Sequence, residues 1–254
     1  MAHKIMLVVG DRFETFRSRK ENVLLYSEYL EILSDHPKWE IASSFYVPSQ
    51  GLSSEEVAVV LENVSQANRD FLDKVGAVPS DISTATHKHK KSNIVITTPI
   101  RLTDSRYAAK LHIDDNCAEM SDHVTKCHLQ GILLIEAARQ LFIAVTETYF
   151  LAPEERGSKY FVINTFDVKF KAFAFPVATD MFYEVKSMDI NARSERFEAD
   201  IDIIQAGTSV CSVAVNFTVF ESVPLTNKEV QKSTIAVEKE VERLFMAFTE
   251  GHGA

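Results

Sequence analysis

The chain has 254 residues, 46% of them hydrophobic, which suffices for one large or two small domains with a substantial core. Thirty-six acids against twenty-seven bases leave a net charge of -9, and such a surface repels phosphate backbones, which argues against nucleic-acid binding. Cys117, Cys127 and Cys211 show no paired spacing and no apolar run is long enough for a signal core or a membrane span, so a cytoplasmic protein without membrane contact is expected.

Lys4–Val9 reads as a short buried strand and Gly10-Asp11-Arg12 as the turn after it. Val23, Leu24, Tyr26, Tyr29, Leu30 and Leu33 predict a helix over 18–34, ended by His36-Pro37. Alternating Trp39, Ile41, Phe45 and Val47 predict a strand over 39–47. Ser53 and Glu56 form a capping box that opens a long amphipathic helix through Val60, Val64, Phe71 and Val75, with Gly76 as its stop. This order resembles half of a nucleotide-binding sheet, but no G-x-G-x-x-G or Walker pattern accompanies Gly10, so a structural or docking role outweighs nucleotide binding. Residues 77–92 lack periodicity and read as a linker, in which His87, Lys88, His89, Lys90 and Lys91 form a solvated basic run.

From Asn93 the character changes. Residues 93–102 and 106–113 are β-branched and alternating, two strands joined around Thr103-Asp104-Ser105. After a polar, turn-rich stretch, residues 129–150 form a helix whose apolar residues cover almost every direction of the turn, the signature of a buried helix. Glu136, Arg139 and Gln140 interrupt it at spacings of three and four, placing an acid, a base and an amide on one stripe. That stripe is either a site or a narrow wet face with an ordinary ion pair. Four further strands are predicted over 160–172, 180–189, 196–205 and 209–220, and an amphipathic stretch over 227–248 packs outside or on a partner. Runs of strands with one segregated helix give an α+β domain whose antiparallel sheet wraps that helix.

In residues 122–140, DHVTKCHLQGILLIEAARQ, a histidine-bearing loop, a glycine at the helix start and E-A-x-x-Q inside the helix resemble the hotdog dehydratases that act on carrier-bound acyl chains. The E-A-A-R-Q form, with the preceding His-Lys-His segment and the strand pair after it, is closer still to the A-factor biosynthesis (AfsA-like) hotdog family, and 166–185 resembles the hotdog strand, proline-containing turn and strand. The resemblance implies a hotdog fold over 93–222, with an α/β extension over 1–80, a linker over 81–92 and a C-terminal helix over 223–254. It also implies an A-factor-like acyltransferase that joins an acyl chain, carried as an acyl carrier protein or CoA thioester, to a small hydroxylated acceptor. The alternatives are a hotdog dehydratase or thioesterase, and a non-catalytic acyl-binding or regulatory module. Gln130-Gly131 stands where such dehydratases carry Pro-Gly. Long A-factor proteins carry two tandem hotdog copies, so a homodimer is expected to supply the second.

On this reading Gly131 lets the helix N-terminus approach the thioester carbonyl, where free amides favour developing negative charge. Glu136 is the candidate general base, with His123 and His128 as acid/base partners at the helix entrance. Arg139 and Gln140 are candidate substrate contacts, and Lys126, with the Lys88 to Lys91 run, a candidate basic patch for an acidic carrier protein. Asp122, His123, Cys127 and His128 lack a second ligand cluster, so neither metal nor cofactor is expected.

Overall fold

The computed structural model describes residues 4–35, 44–75, 83–118, 125–191 and 194–251. The N-terminal region is a three-stranded parallel sheet, β1 (Lys4–Val9) lying between β2 (Val23–Leu25) and β3 (Ser44–Pro48). The helix predicted over 18–34 is shorter than its periodicity implied. Val23 to Leu25 pair with Leu7 to Val9, and the helix, α2, spans Tyr26–Asp35, after a single short turn, α1, at Glu14–Arg17. Trp39, Ile41 and Gly76 lie outside the described residues. The capping box at Ser53 and Glu56 is present in both directions, at 3.2 and 2.8 Å, and opens α3 (Ser54–Glu62). Helix α4 (Gln66–Val75) follows after a break at 63–65, so the long predicted helix is two.

The rest of the molecule has the expected hotdog arrangement. Helix α5 (Gly131–Tyr149) is held by a six-stranded antiparallel sheet of β4 (Ile100–Arg101), β5 (Arg106–Lys110), β6 (Lys159–Phe170), β7 (Asp180–Asn191), β8 (Ser194–Gln205) and β9 (Thr208–Glu221). Their order across the sheet is β4-β5-β7-β8-β9-β6. Strand alternation supplies the inner face: Phe197, Ala199, Ile201 and Ile203 of β8 and Val213, Val215, Phe217 and Val219 of β9 are buried against Leu134, Ala138, Leu141, Phe142 and Val145 of α5. Glu198, Asp200 and Asp202 of β8 point the other way. At the C-terminus α6 (Ser222–Gly251) leaves the end of β9.

The strand predicted over 93–102 is reduced to Ile100–Arg101. The Val95 amide donates to the Gln140 side chain at 2.9 Å, while about the Ile96–Leu111 bridge the Val95 carbonyl accepts the His112 amide and the Thr97 amide donates to the Lys110 carbonyl, both at 2.9 Å, so the segment is pinned to the sheet over a few residues and turned on its other side to α5. The basic run is likewise not a free linker. Ser83 and Thr86 are buried, and His87 and Lys88 are bound to acids of α5. Residues 83–95 form a strap over one face of the helix.

The N-terminal sheet docks on the hotdog domain through the carboxyl ends of its strands. Buried Gln50 donates to the Leu111 carbonyl at 3.0 Å and accepts from the Ile113 amide at 2.9 Å, and the Gly51 amide donates to the Ile113 carbonyl at 2.8 Å. Gly10 must be glycine, because a Cβ there would lie 1.9 Å from the Gly51 carbonyl oxygen. Asp11 accepts from the Ser27 amide and hydroxyl, so the turn where a phosphate loop could sit is tied to its own chain. Val9, Phe13, Phe16 and Val23 join the core that surrounds α5. Gln50→Leu leaves the Leu111 and Ile113 groups buried without partners; it is expected to cost about 2–4 kcal/mol in urea unfolding, with loss of near zero contradicting a structural role for the clamp.

Candidate functional site

A helix enclosed by a sheet cannot carry a carboxylate on its buried face unless donors meet it. Glu136 is met by three. Arg139, one turn on, grips it in a fork, Nε to Oε2 at 2.7 Å and Nη2 to Oε1 at 2.8 Å. Gln140 Nε2 donates to Oε1 at 2.8 Å, and Lys88 Nζ reaches Oε1 from the strap at 2.8 Å. Burial alone would push the Glu136 carboxyl up, but the hydrogen bonds from Arg139, Lys88 and Gln140 outweigh it and hold its pKa down at about 2. Gln140 is wholly buried and fully used: its Nε2 also donates to the Asn93 carbonyl at 2.8 Å, and its Oε1 accepts the Val95 amide. The three residues of the predicted stripe are therefore brought together, and Lys88 joins them from a segment 48 positions earlier in the chain.

The stripe runs further than the sequence reading took it. Glu147, eleven residues after Glu136 and on the same face, is buried with 2% of its side chain exposed. Its Oε1 lies 2.6 Å from His87 Nε2, and its Oε2 accepts the Gly157 amide at 2.8 Å. His87 takes a left-handed backbone, φ 56°, uncommon for a residue with a side chain, and its ring stands edge-on to Phe161. His87 and Lys88 line an open polar cleft of 690 Å³ with Ser83, Thr84, His89 and Arg156. The signal for Glu147 is its spacing of seven from Gln140; nothing local marks His87 as its partner.

At the other end of α5, Gln130 is the cap residue and gives no side-chain hydrogen bond to the first turn. Gly131 makes room for an aromatic ring: a Cβ there would lie 2.8 Å from Phe170 Cζ. His128 packs its ring on Phe173 at 4.9 Å between centroids, while its backbone is held by the Thr125 hydroxyl. Lys126 is exposed, pairs with Glu14 and accepts the Phe16 amide on its carbonyl, so the N-terminal sheet fixes this loop. His128 makes no hydrogen bond to the Glu136 cluster among the described residues. His123 and Asp122 lie outside them. No group of three or more metal-ligating side chains occurs among the described residues, and burial pushes the Cys211 thiol up to about 11, away from reactivity.

Because the Glu136 carboxyl is lowered on folding from 4.5 to about 2, its contribution is fully present above pH 4.5 and is lost as pH falls through 2. The shift corresponds to about 3 kcal/mol. Glu136→Gln should be destabilised by that order at neutral pH, and its difference from the parent should shrink as pH is lowered from 5 toward 2. A difference that stays constant in denaturant unfolding over that range would contradict the pairing.

The family profile of the A-factor biosynthesis hotdog domain matches residues 75–221. A mutant thioesterase from Pseudomonas aeruginosa is similar at 13% identity, with a TM-score of 0.39, over 54% of this chain and 90% of its own. A thioesterase from Haemophilus influenzae is similar at 11% identity and a TM-score of 0.37, over 52% of this chain and 82% of its own. The PaaI protein of the E. coli phenylacetic acid degradation operon is similar at 13% identity and a TM-score of 0.33, over 48% and 81%. No curated protein is similar enough in sequence to match. With the profile spanning more than half of the chain, ending where β9 ends and containing the strap, the α5 stripe and the sheet, the chain belongs to the A-factor biosynthesis hotdog domain family.

Proposed function

We propose that this protein acts on acyl-thioesters and joins an acyl chain, delivered by an acyl carrier protein or CoA, to a small hydroxylated acceptor. The observation that carries the reading is the Glu136–Arg139–Gln140 stripe on the enclosed helix, paired with Lys88 of the strap around a buried Gln140, in a chain of this family. The thioester carbonyl lies at the first amides of α5, where they favour the charge that develops on its oxygen, and Phe170 turns off Gly131 to admit it. Arg139 and Gln140 contact the substrate or hold Glu136 for it. Glu136 serves as base only when Lys88 has left it, since a carboxylate tied to three donors is a weak proton acceptor. His123 and His128 are its proposed acid/base partners. The working form is a cytoplasmic homodimer without metal or cofactor.

One alternative has an observation of its own. The depressed pKa of Glu136, about 2, suits a fixed anchor better than a proton carrier, which favours a non-catalytic acyl-binding or regulatory module. A dehydratase or thioesterase would use the same groups with water as product or reactant.

Mass spectrometry of the protein incubated with 3-oxoacyl and 3-hydroxyacyl thioesters, with and without dihydroxyacetone phosphate, separates these. Acylated acceptor is the expected result; lost water or released acid moves the assignment to dehydratase or thioesterase, and unchanged substrate with measurable binding moves it to the module. Glu136→Gln should lower turnover about 100-fold or more if the cluster is catalytic, and unchanged turnover leaves it a structural role. For carrier docking, Lys88 and Lys126 are engaged with Glu136 and Glu14, whereas Lys90 and Lys91 are exposed. Lys90→Glu with Lys91→Glu should slow turnover of carrier-bound substrate and spare CoA substrate; equal loss on both removes the carrier patch.

A further inference from the structure

Helix α6 begins at Ser222, just past the end of the family match at residue 221, so nothing in the hotdog fold accounts for it. Thirty residues of helix are about 45 Å long. Among the described residues it meets the sheet near its start. The Tyr160 hydroxyl donates to Glu229, the Ser222 hydroxyl donates to the Ser158 carbonyl, and Leu225 and Lys228 border a groove on β6 and β9.

Beyond those anchors the helix is exposed, and its valines and Leu244 are ordered along one side, with Ile235 standing off that side at b. Val223, Val230, Val237 and Leu244 recur every seven residues, and Val241 stands in the second series four residues after Val237. The two series are the d and a positions of a heptad, with Asn227 and Thr234 at a before Val241. The seam side chains are open to solvent: Val223 is 74%, Val230 60%, Val237 63%, Val241 60% and Leu244 53% exposed. Leu225, Lys228 and Glu229, which meet the sheet, fall at f, b and c, so the anchored side of α6 is opposite the seam.

A lone helix of this kind gains nothing from its apolar stripe. A strict seven-residue repeat also selects its cover, because a 3.5-residue period keeps an apolar seam facing another supercoiled helix and not a flat surface. The polar side carries Lys228, Lys232, Lys239 and Arg243 among Glu229, Glu238, Glu240 and Glu242, a balanced set that does not favour an anionic lipid surface. Covering the seam on two copies removes roughly 1,000 Å², the size at which specific association begins. In a parallel pair each g position faces the next e of its partner, which sets Thr226 against Gln231 and Ser233 against Glu238 with no like charges opposed, and Asn227 at a favours two strands in register.

We propose that α6 pairs with α6 of a second copy as a parallel two-stranded coiled coil, tethering two hotdog domains by their C-termini. The inference goes beyond the acyl-thioester reading and does not depend on it. The full chain should be a dimer by light scattering at micromolar concentration, and Val230→Glu with Val237→Glu should raise its dissociation constant about 100-fold or more, because each charge would be buried unpaired in the seam. Cysteine trapping gives a readout that needs no destabilising change: in a parallel register Val237→Cys meets its own copy within disulfide reach and cross-links under mild oxidation, while Lys239→Cys on the outer face does not. A monomeric parent chain, a dimer that survives the two glutamates with no cross-link at Val237→Cys, or cross-linking at 239 in place of 237 would each overturn the coiled coil; a monomer would also remove the homodimer of the proposed working form, whereas the cross-linking results bear on α6 alone.

Discussion

The Gln140 amide is the interaction on which the rest of the domain depends. It sits fully buried at the middle of α5, gives one hydrogen to Glu136 and one to the Asn93 carbonyl, and takes the Val95 amide. A wrapped helix offers no solvent to a polar side chain, so each of these groups needs a protein partner. The strap of residues 83–95 is that partner. In satisfying Gln140 it also brings Lys88 onto Glu136 and His87 onto Glu147, so one segment gives a partner to both acids on that face of the helix.

The N-terminal sheet acts on the same helix from its other end. Its strand ends are clamped to residues 111–113 by Gln50 and Gly51, and from that position Phe16 and Glu14 hold the backbone and side chain of Lys126. The loop that feeds α5, with His128 in it, is therefore shaped by residues more than a hundred positions away in sequence. The extension is part of the wall around the helix entrance, and the carboxyl edge where an open parallel sheet would take a ligand is occupied by the hotdog domain.

Much of this was legible in the sequence because it follows local period. The buried helix, the four long strands and the capping box at Ser53 are each set by residues that lie within a few positions of one another. The Glu136–Arg139–Gln140 stripe follows in the same way from helical spacing. What periodicity could not carry were contacts decided by distant partners. Val23 to Leu25 continue a helical pattern but become a strand because β1 offers a free edge. Residues 93–99 alternate like a strand but give an amide to Gln140, and the basic run at 87–91 looks solvated until two buried acids are placed beneath it. Glu147 carried a signal in its spacing from Gln140, whereas the identity of its histidine partner had none.

The central claim is that substrate meets α5 at Gly131, beside a cluster in which Arg139 and Gln140 keep hold of Glu136. A crystal structure with a non-hydrolysable acyl-thioester analogue tests it most directly. The account predicts the carbonyl oxygen within hydrogen-bond distance of the first amides of α5, Phe170 displaced from Gly131, and Glu136 still held by Arg139 and Gln140. An analogue bound elsewhere, with Phe170 still seated on Gly131, would contradict it.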